Sequence, residues 1–130
     1  MDKPFEDHGL FSWSELITPD FEQACRFYES MLGWKLKEVA GRSGSRYALV
    51  TSDNATEPFA GILTVDDKDI RAHWRTYVTV DEVEAIVNKT ELVGGLVLVP
   101  VTTIERVGKI AVIEDPCGAV ISVIEYDSKR

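Results

Sequence analysis

Six side chains in this chain of 130 residues carry chemistry suited to a small molecule: Trp13, Glu15, Tyr47, His73, Arg75 and Tyr77. A carboxylate such as Glu15 can anchor a polar group or act as a general base. Arg75 keeps its charge in any protein environment and can fork onto an anionic group. Trp13, Tyr47 and Tyr77 can stack on a planar ligand, with the indole N–H and phenol O–H orienting it. His73 and His8 are the only histidines. Two histidines without a third ligand make a weak metal signal, and His8 lies outside the alternation that carries Trp13. Cys25 and Cys117 have no metal-ligand spacing. Cys117 has no histidine or basic neighbour to activate it and reads as an inert thiol. The glycines at 41 and 44 do not form a phosphate loop, because no strand-to-helix junction surrounds them.

These groups can act together only if strands carry them on common faces. Residues 9–18 alternate, with Phe11, Trp13, Glu15 and Ile17 on one face and Leu10, Ser12, Ser14, Leu16 and Thr18 on the other. A helix follows. Asp20 can cap it with Gln23 completing a capping box, and Thr18 before Pro19 is the rival cap. Phe21, Ala24, Cys25, Tyr28 and Leu32 recur at helical spacing, and Gly33 suits a left-handed stop. Strands are expected at 34–39, 46–51 and 59–65, and the charged joint at 66–69 is the best internal boundary.

Beyond the joint the same grammar returns. Residues 72–80 read as a strand that puts His73, Arg75 and Tyr77 on one face. Asp81 with Glu84 repeats the cap chemistry, and Val83, Ile86, Val87 and Thr90 form the helical stripe that Gly94 and Gly95 stop. Strands at 96–103, 107–113 and 119–126 complete the copy, the last entered through a turn at Asp115, Pro116, Cys117 and Gly118. Residues 1–8 read as a loose lead-in. The order strand, helix, strand, strand, strand thus occurs twice. The helices align at an offset of 61 and the strands at 62, which sets Trp13 against Arg75.

The length allows one domain or two half-size modules, with module one at about 9–66 and module two at about 70–127. The net charge of −8 excludes a phosphate-backbone partner, so no nucleic acid is expected. No apolar run approaches the roughly 20 residues of a membrane span, so no membrane partner is expected either. The charged start is unlike a secretory signal, and two unpaired cysteines fit a reducing compartment; the default location is cytoplasmic.

The segments WSELITPDFEQACRFYESMLGW, YVTVDEVEAIV and VIEDPCGAVISVIEY together resemble the vicinal oxygen chelate superfamily of glyoxalase I, extradiol dioxygenases and bleomycin-resistance proteins. The resemblance covers essentially the whole chain and implies an α+β fold: two βαβββ modules in a curved mixed sheet with a central cup, helices on the outer face. It further implies a homodimer and, in the enzymes, a divalent metal held by four side chains, mostly His and Glu, from the first and last strands of each module. Here those positions carry Trp13, Gly61 or Ile62, Arg75 and Ser122. None is a fitting ligand for such an ion, so no metal and no other cofactor is expected.

The resemblance puts Trp13, Glu15, Arg75, Tyr77 and Ser122 around the cup, with His73 near its edge and Tyr47 on a face the pattern leaves open. Glu15 is expected to pair with Arg75 when no ligand is present, because buried charges are usually paired. The leading expectation is a small-molecule-binding protein of this group without the metal site. The alternatives are a divalent-metal lyase, isomerase or dioxygenase-like enzyme, and a protein that sequesters a cationic antibiotic.

Overall fold

The computed structural model describes residues 3–40, 45–55, 57–67, 69–104 and 107–127. The turn at 41–44 and Lys68 of the charged joint lie outside the described residues. The chain packs as two compact units: a central one, Trp13–Arg75, and a terminal one made of Met1–Ser12 and Thr76–Arg130.

The central unit contains most of β1 (Phe11–Thr18), then α2 (Phe21–Leu32), β2 (Lys35–Ala40), β3 (Arg46–Thr51) and β4 (Ala60–Thr64). β2, β3 and β4 run antiparallel in that order, and β1 joins β4 in parallel. α2 forms where the sequence stops it on both sides. Asp20 Oδ1 accepts the Gln23 N–H at 3.1 Å, and Gly33 closes the last turn at φ 68°. Gln23 reaches back to the Asp20 carboxylate, so Asp20 is the cap; its rival Thr18 instead accepts the Asp20 N–H in the turn before the helix. The helix buries Phe21 with Ala24, Cys25 and Tyr28 against Leu16, Ala48, Val50, Ala60 and Ile62. Burying each large side chain of this kind stabilises by about 1.5–3 kcal/mol. Leu32 departs from the expected stripe and is 55% exposed. An aromatic group covers that end instead: Tyr28 stacks on Trp34, and Trp74 meets both rings edge-on.

The terminal unit repeats the connectivity with β5 (His73–Thr79, from residue 76), α3 (Val83–Thr90), β6 (Leu96–Ile104), β7 (Gly108–Glu114) and β8 (Val120–Tyr126). β6, β7 and β8 are antiparallel neighbours, and β8 pairs with β5 in parallel. α3 lays Val83, with Ile86 and Val87, on Val78, Val80, Val101, Ala111 and Val123. Each unit is therefore a βαβββ module, and the fold is α+β.

The second helix corrects two expectations. Asp81 is not its cap: the helix begins at Val83 after Glu82, and Glu82 makes no side-chain capping bond. The acceptor comes from β8, where Glu125 Oε1 takes the Val83 N–H at 3.0 Å. The Asp81 N–H is taken by His8 Nδ1 at 3.0 Å. Phe21 and Val83 are thus equivalent first residues, and helices and strands share the offset of 62.

The lead-in is also not loose. Residues Lys3–Glu6 form α1, a single helical turn. Phe5 meets Tyr126 edge-on at 5.2 Å, and Thr79 Oγ1 donates to the Pro4 carbonyl. Gly9 and Leu10 then exchange backbone bonds with Thr79.

Candidate functional site

Trp13, Glu15 and Tyr47 converge on the face of the central sheet that turns away from α2. Alternation explains the selection: Leu16, Ala48 and Ile62 pack under the helix, so the odd residues of β1, β3 and β4 point the other way. The Trp13 Nε1–H donates to Tyr47 Oη at 3.2 Å, and the Tyr47 O–H donates to Glu15 Oε2 at 3.0 Å. Two strands thus contribute to one hydrogen-bonded chain that ends on a carboxylate only 9% exposed.

Gly61, on the strand between them, makes that chain possible. It lies opposite Glu15 in the β1–β4 ladder and opposite Leu49 in β3, while Tyr47 lies opposite Leu63. To reach Glu15 the Tyr47 ring must cross β4 diagonally, over Gly61. A Cβ at that position would stand 1.8 Å from Tyr47 Oη and 2.3 Å from Cζ. The glycine is required by the close approach of a ring rather than by a special backbone angle.

The sequence pattern leaves Tyr47 without a face; the structure puts it beside Trp13 and Glu15. It also resolves the fourth-strand register. Ile62 is buried in the core under α2, and Gly61 shares the face of Glu15. A lone glycine between apolar strand residues is the available signal for this crossing.

Arg75 follows Trp74, whose Nε1–H donates to Tyr28 Oη at 3.2 Å on the helix side. Alternation directs Arg75 to the opposite face, the one that carries Glu15. The expected Glu15–Arg75 pair does not form. Tyr47 supplies a donor to Glu15, and no hydrogen bond or ion pair joins Arg75 to another described residue. Its Nε is nonetheless buried. A buried donor left without an acceptor costs about 1–3 kcal/mol, a cost that a bound acceptor would remove.

The remaining candidates are placed differently. His73 is exposed and its Nδ1–H donates to the Arg71 carbonyl at 2.8 Å. Tyr77 and Ser122 belong to the terminal unit, where they lie opposite each other in the β5–β8 ladder. Tyr77 is 5% exposed and Ser122 is fully buried, its Oγ without a hydrogen-bond partner among the described residues. His8 also belongs to the terminal unit, bound to Asp81. Cys117 sits exposed in the β7–β8 turn, where Asp115 Oδ1 accepts the N–H groups of Cys117 and Ala119. Burial, with Glu29 adding to it, raises the Cys25 thiol above its ordinary range and keeps it unreactive.

The divalent ion that the fold implies does not fit these residues. Trp13 and Gly61 offer no ligand atom, Arg75 would repel a cation, and the Glu15 carboxylate is engaged by a phenol. Among the described residues no three His, Cys, Asp or Glu side chains are grouped to hold a metal.

Known proteins share this arrangement of strands and helices. The chain is 30% identical over 117 residues to the protein named "Putative glyoxylase CFP32" of Mycobacterium tuberculosis, a match covering 90% of this chain and 44% of that protein. It is 24% identical over 127 residues to the anthracycline biosynthesis protein DnrV of Streptomyces peucetius, covering 88% and 46%. The chain therefore spans about half the length of these curated relatives. Among solved structures, methylmalonyl-CoA epimerase from M. tuberculosis superposes with a TM-score of 0.66 at 18% identity, covering 93% of this chain and 89% of that one. A hypothetical protein from Bacillus halodurans gives 0.67 at 13% identity, covering 92% and 96%. At such identities the likeness is one of fold. The family model described as Glyoxalase/Bleomycin resistance protein/Dioxygenase superfamily matches residues 10–123, and the chain belongs to that superfamily.

Proposed function

We propose that this chain binds a small organic molecule on the Trp13, Tyr47 and Glu15 face of its central unit, without the superfamily's metal ion. The observation that carries the reading is the hydrogen-bonded chain across Gly61. It fixes an indole, a phenol and a buried carboxylate in one geometry, and preorganised groups of this kind bind at low entropic cost. The names of the relatives, a glyoxylase and an anthracycline biosynthesis protein, support a small organic ligand. A homodimer and a reducing, cytoplasmic compartment belong to the same reading, the latter in keeping with free Cys25 and Cys117. Sedimentation velocity tests the dimer.

The test of binding is a thermal-shift screen of a metabolite library, with each hit repeated on Trp13→Ala and Tyr47→Phe. Genuine ligands lose their stabilising effect in both variants. Hits whose shifts persist unchanged in both would place the ligand elsewhere. Elemental analysis of protein purified without added metal covers the remaining claim. One equivalent of tightly held zinc, nickel, iron or manganese would overturn it.

A further inference from the structure

Resting on that reading, we infer that the ligand is a planar molecule bearing an oxyanion, carboxylate or phosphate, with the anion on Arg75 and the ring against Trp13. Acidic side chains outnumber basic ones in this chain by 22 to 14, so carboxylates are not scarce. Two arginines on the central unit's surface find them readily. Arg46 bonds Glu38 through two nitrogens and Glu22 through a third contact, and Arg26 lies 3.6 Å from Glu22. Arg75 finds none among the described residues, although its buried Nε has more to gain from an acceptor than a solvated guanidinium has.

The strand holds Arg75 in this position. Trp74 is fixed on the helix side by its bond to Tyr28 and by edge contacts at 5.5 Å with Tyr28 and 5.9 Å with Trp34. One residue on, the Arg75 side chain cannot turn toward the surface carboxylates around α2 without breaking the alternation of β5. A guanidinium presents its donors as a flat fork, the complement of a carboxylate or phosphate edge. Trp13 supplies the flat apolar surface on the same face, and its bond to Tyr47 fixes the plane of the indole.

Isothermal titration with benzoate, phenyl phosphate and the neutral benzamide tests the inference on the wild type, Arg75→Gln, Arg75→Lys and Trp13→Ala. At least one anion is expected to bind about tenfold or more tightly than benzamide. Arg75→Gln should remove that advantage by weakening the anions far more than benzamide, while Arg75→Lys, which keeps the charge but not the fork, restores part of it. The stronger of the two anions identifies the oxyanion. Equal binding of benzoate, phenyl phosphate and benzamide, undiminished anion binding in Arg75→Gln, or no binding of either anion would overturn the inference. Loss of binding in Trp13→Ala together with indifference to Arg75→Gln would leave the site in place and remove only the anion.

Discussion

The two units run the same connectivity, yet corresponding strand positions on their open faces are filled to different effect. Glu15 stands opposite Gly61 in the central unit as Tyr77 stands opposite Ser122 in the terminal one. On the next strand the residue opposite Leu63 is Tyr47, and its counterpart opposite Ile124 is Ile110. The buried alanines Ala48 and Ala111 follow these two residues under the helices. A ring that crosses a glycine therefore corresponds to an aliphatic side chain beside a serine. Ile110 has nothing to offer the Ser122 hydroxyl, which stays buried without a partner among the described residues, whereas Tyr47 links Trp13 to Glu15. The scaffold leaves both outcomes open, and two positions decide between them.

The sharpest way to break this contrast is Gly61→Ala. The new methyl would displace the Tyr47 ring, and with it both of its hydrogen bonds, for an expected loss of about 2–3 kcal/mol by urea denaturation. Tyr47→Phe removes the hydroxyl alone, leaving Trp13 without its acceptor and Glu15 one donor short. About 1–2 kcal/mol should follow in the same assay. The helix starts give a smaller difference. Asp20→Ala and Glu125→Ala should each cost about 1 kcal/mol, although one cap is local and the other comes from β8. Ser122→Ala should be neutral or slightly stabilising, because it removes a hydroxyl that bonds no described residue. A loss there equal to that of Gly61→Ala would erase the comparison.

The smallest effects are those of pH at the surface. Arg46 holds the Glu38 carboxyl below its ordinary 4.5, and Lys109 does the same for Glu84. A lowered carboxyl pKa contributes stability that is present above 4.5 and lost as pH falls through the folded value. Both units should therefore weaken slightly in acid. At the alkaline end they differ. Glu84 raises Lys109 above 10.5, so that pair's contribution is present below 10.5 and fades as pH rises through the folded value. The bonds from Glu38 and Glu22 raise Arg46 further beyond any accessible pH. Lys109→Arg should abolish the alkaline limb of a pH–stability profile, and a profile unchanged by it would show that the limb has another origin.

The fold is legible in the sequence because periodicity and end signals agree. The alternation of 9–18, the Asp20 cap and the Gly33 stop each recur in the structure within a residue or two. The start of the second helix is not legible, because its cap is not local: nothing near Glu82 announces that the Val83 N–H is accepted by Glu125, 42 residues beyond Val83. The site is legible only in part. Alternation puts Trp13 and Glu15 on one face, and the structure agrees. The partner of Glu15 is where the two part, since charge suggests Arg75 and geometry supplies Tyr47. That choice depends on a ring passing over a glycine of the neighbouring strand, a relation that no spacing within one strand encodes.

One cycle of variants tests whether the missing side chain of Gly61 is what lets Tyr47 cross to Glu15. Unfolding free energies are measured for the wild type, Gly61→Ala, Tyr47→Ala and the double variant. Gly61→Ala should cost about 2–3 kcal/mol when Tyr47 is present and little in the Tyr47→Ala background, a coupling of at least about 1 kcal/mol. An equal cost in both backgrounds would contradict the account.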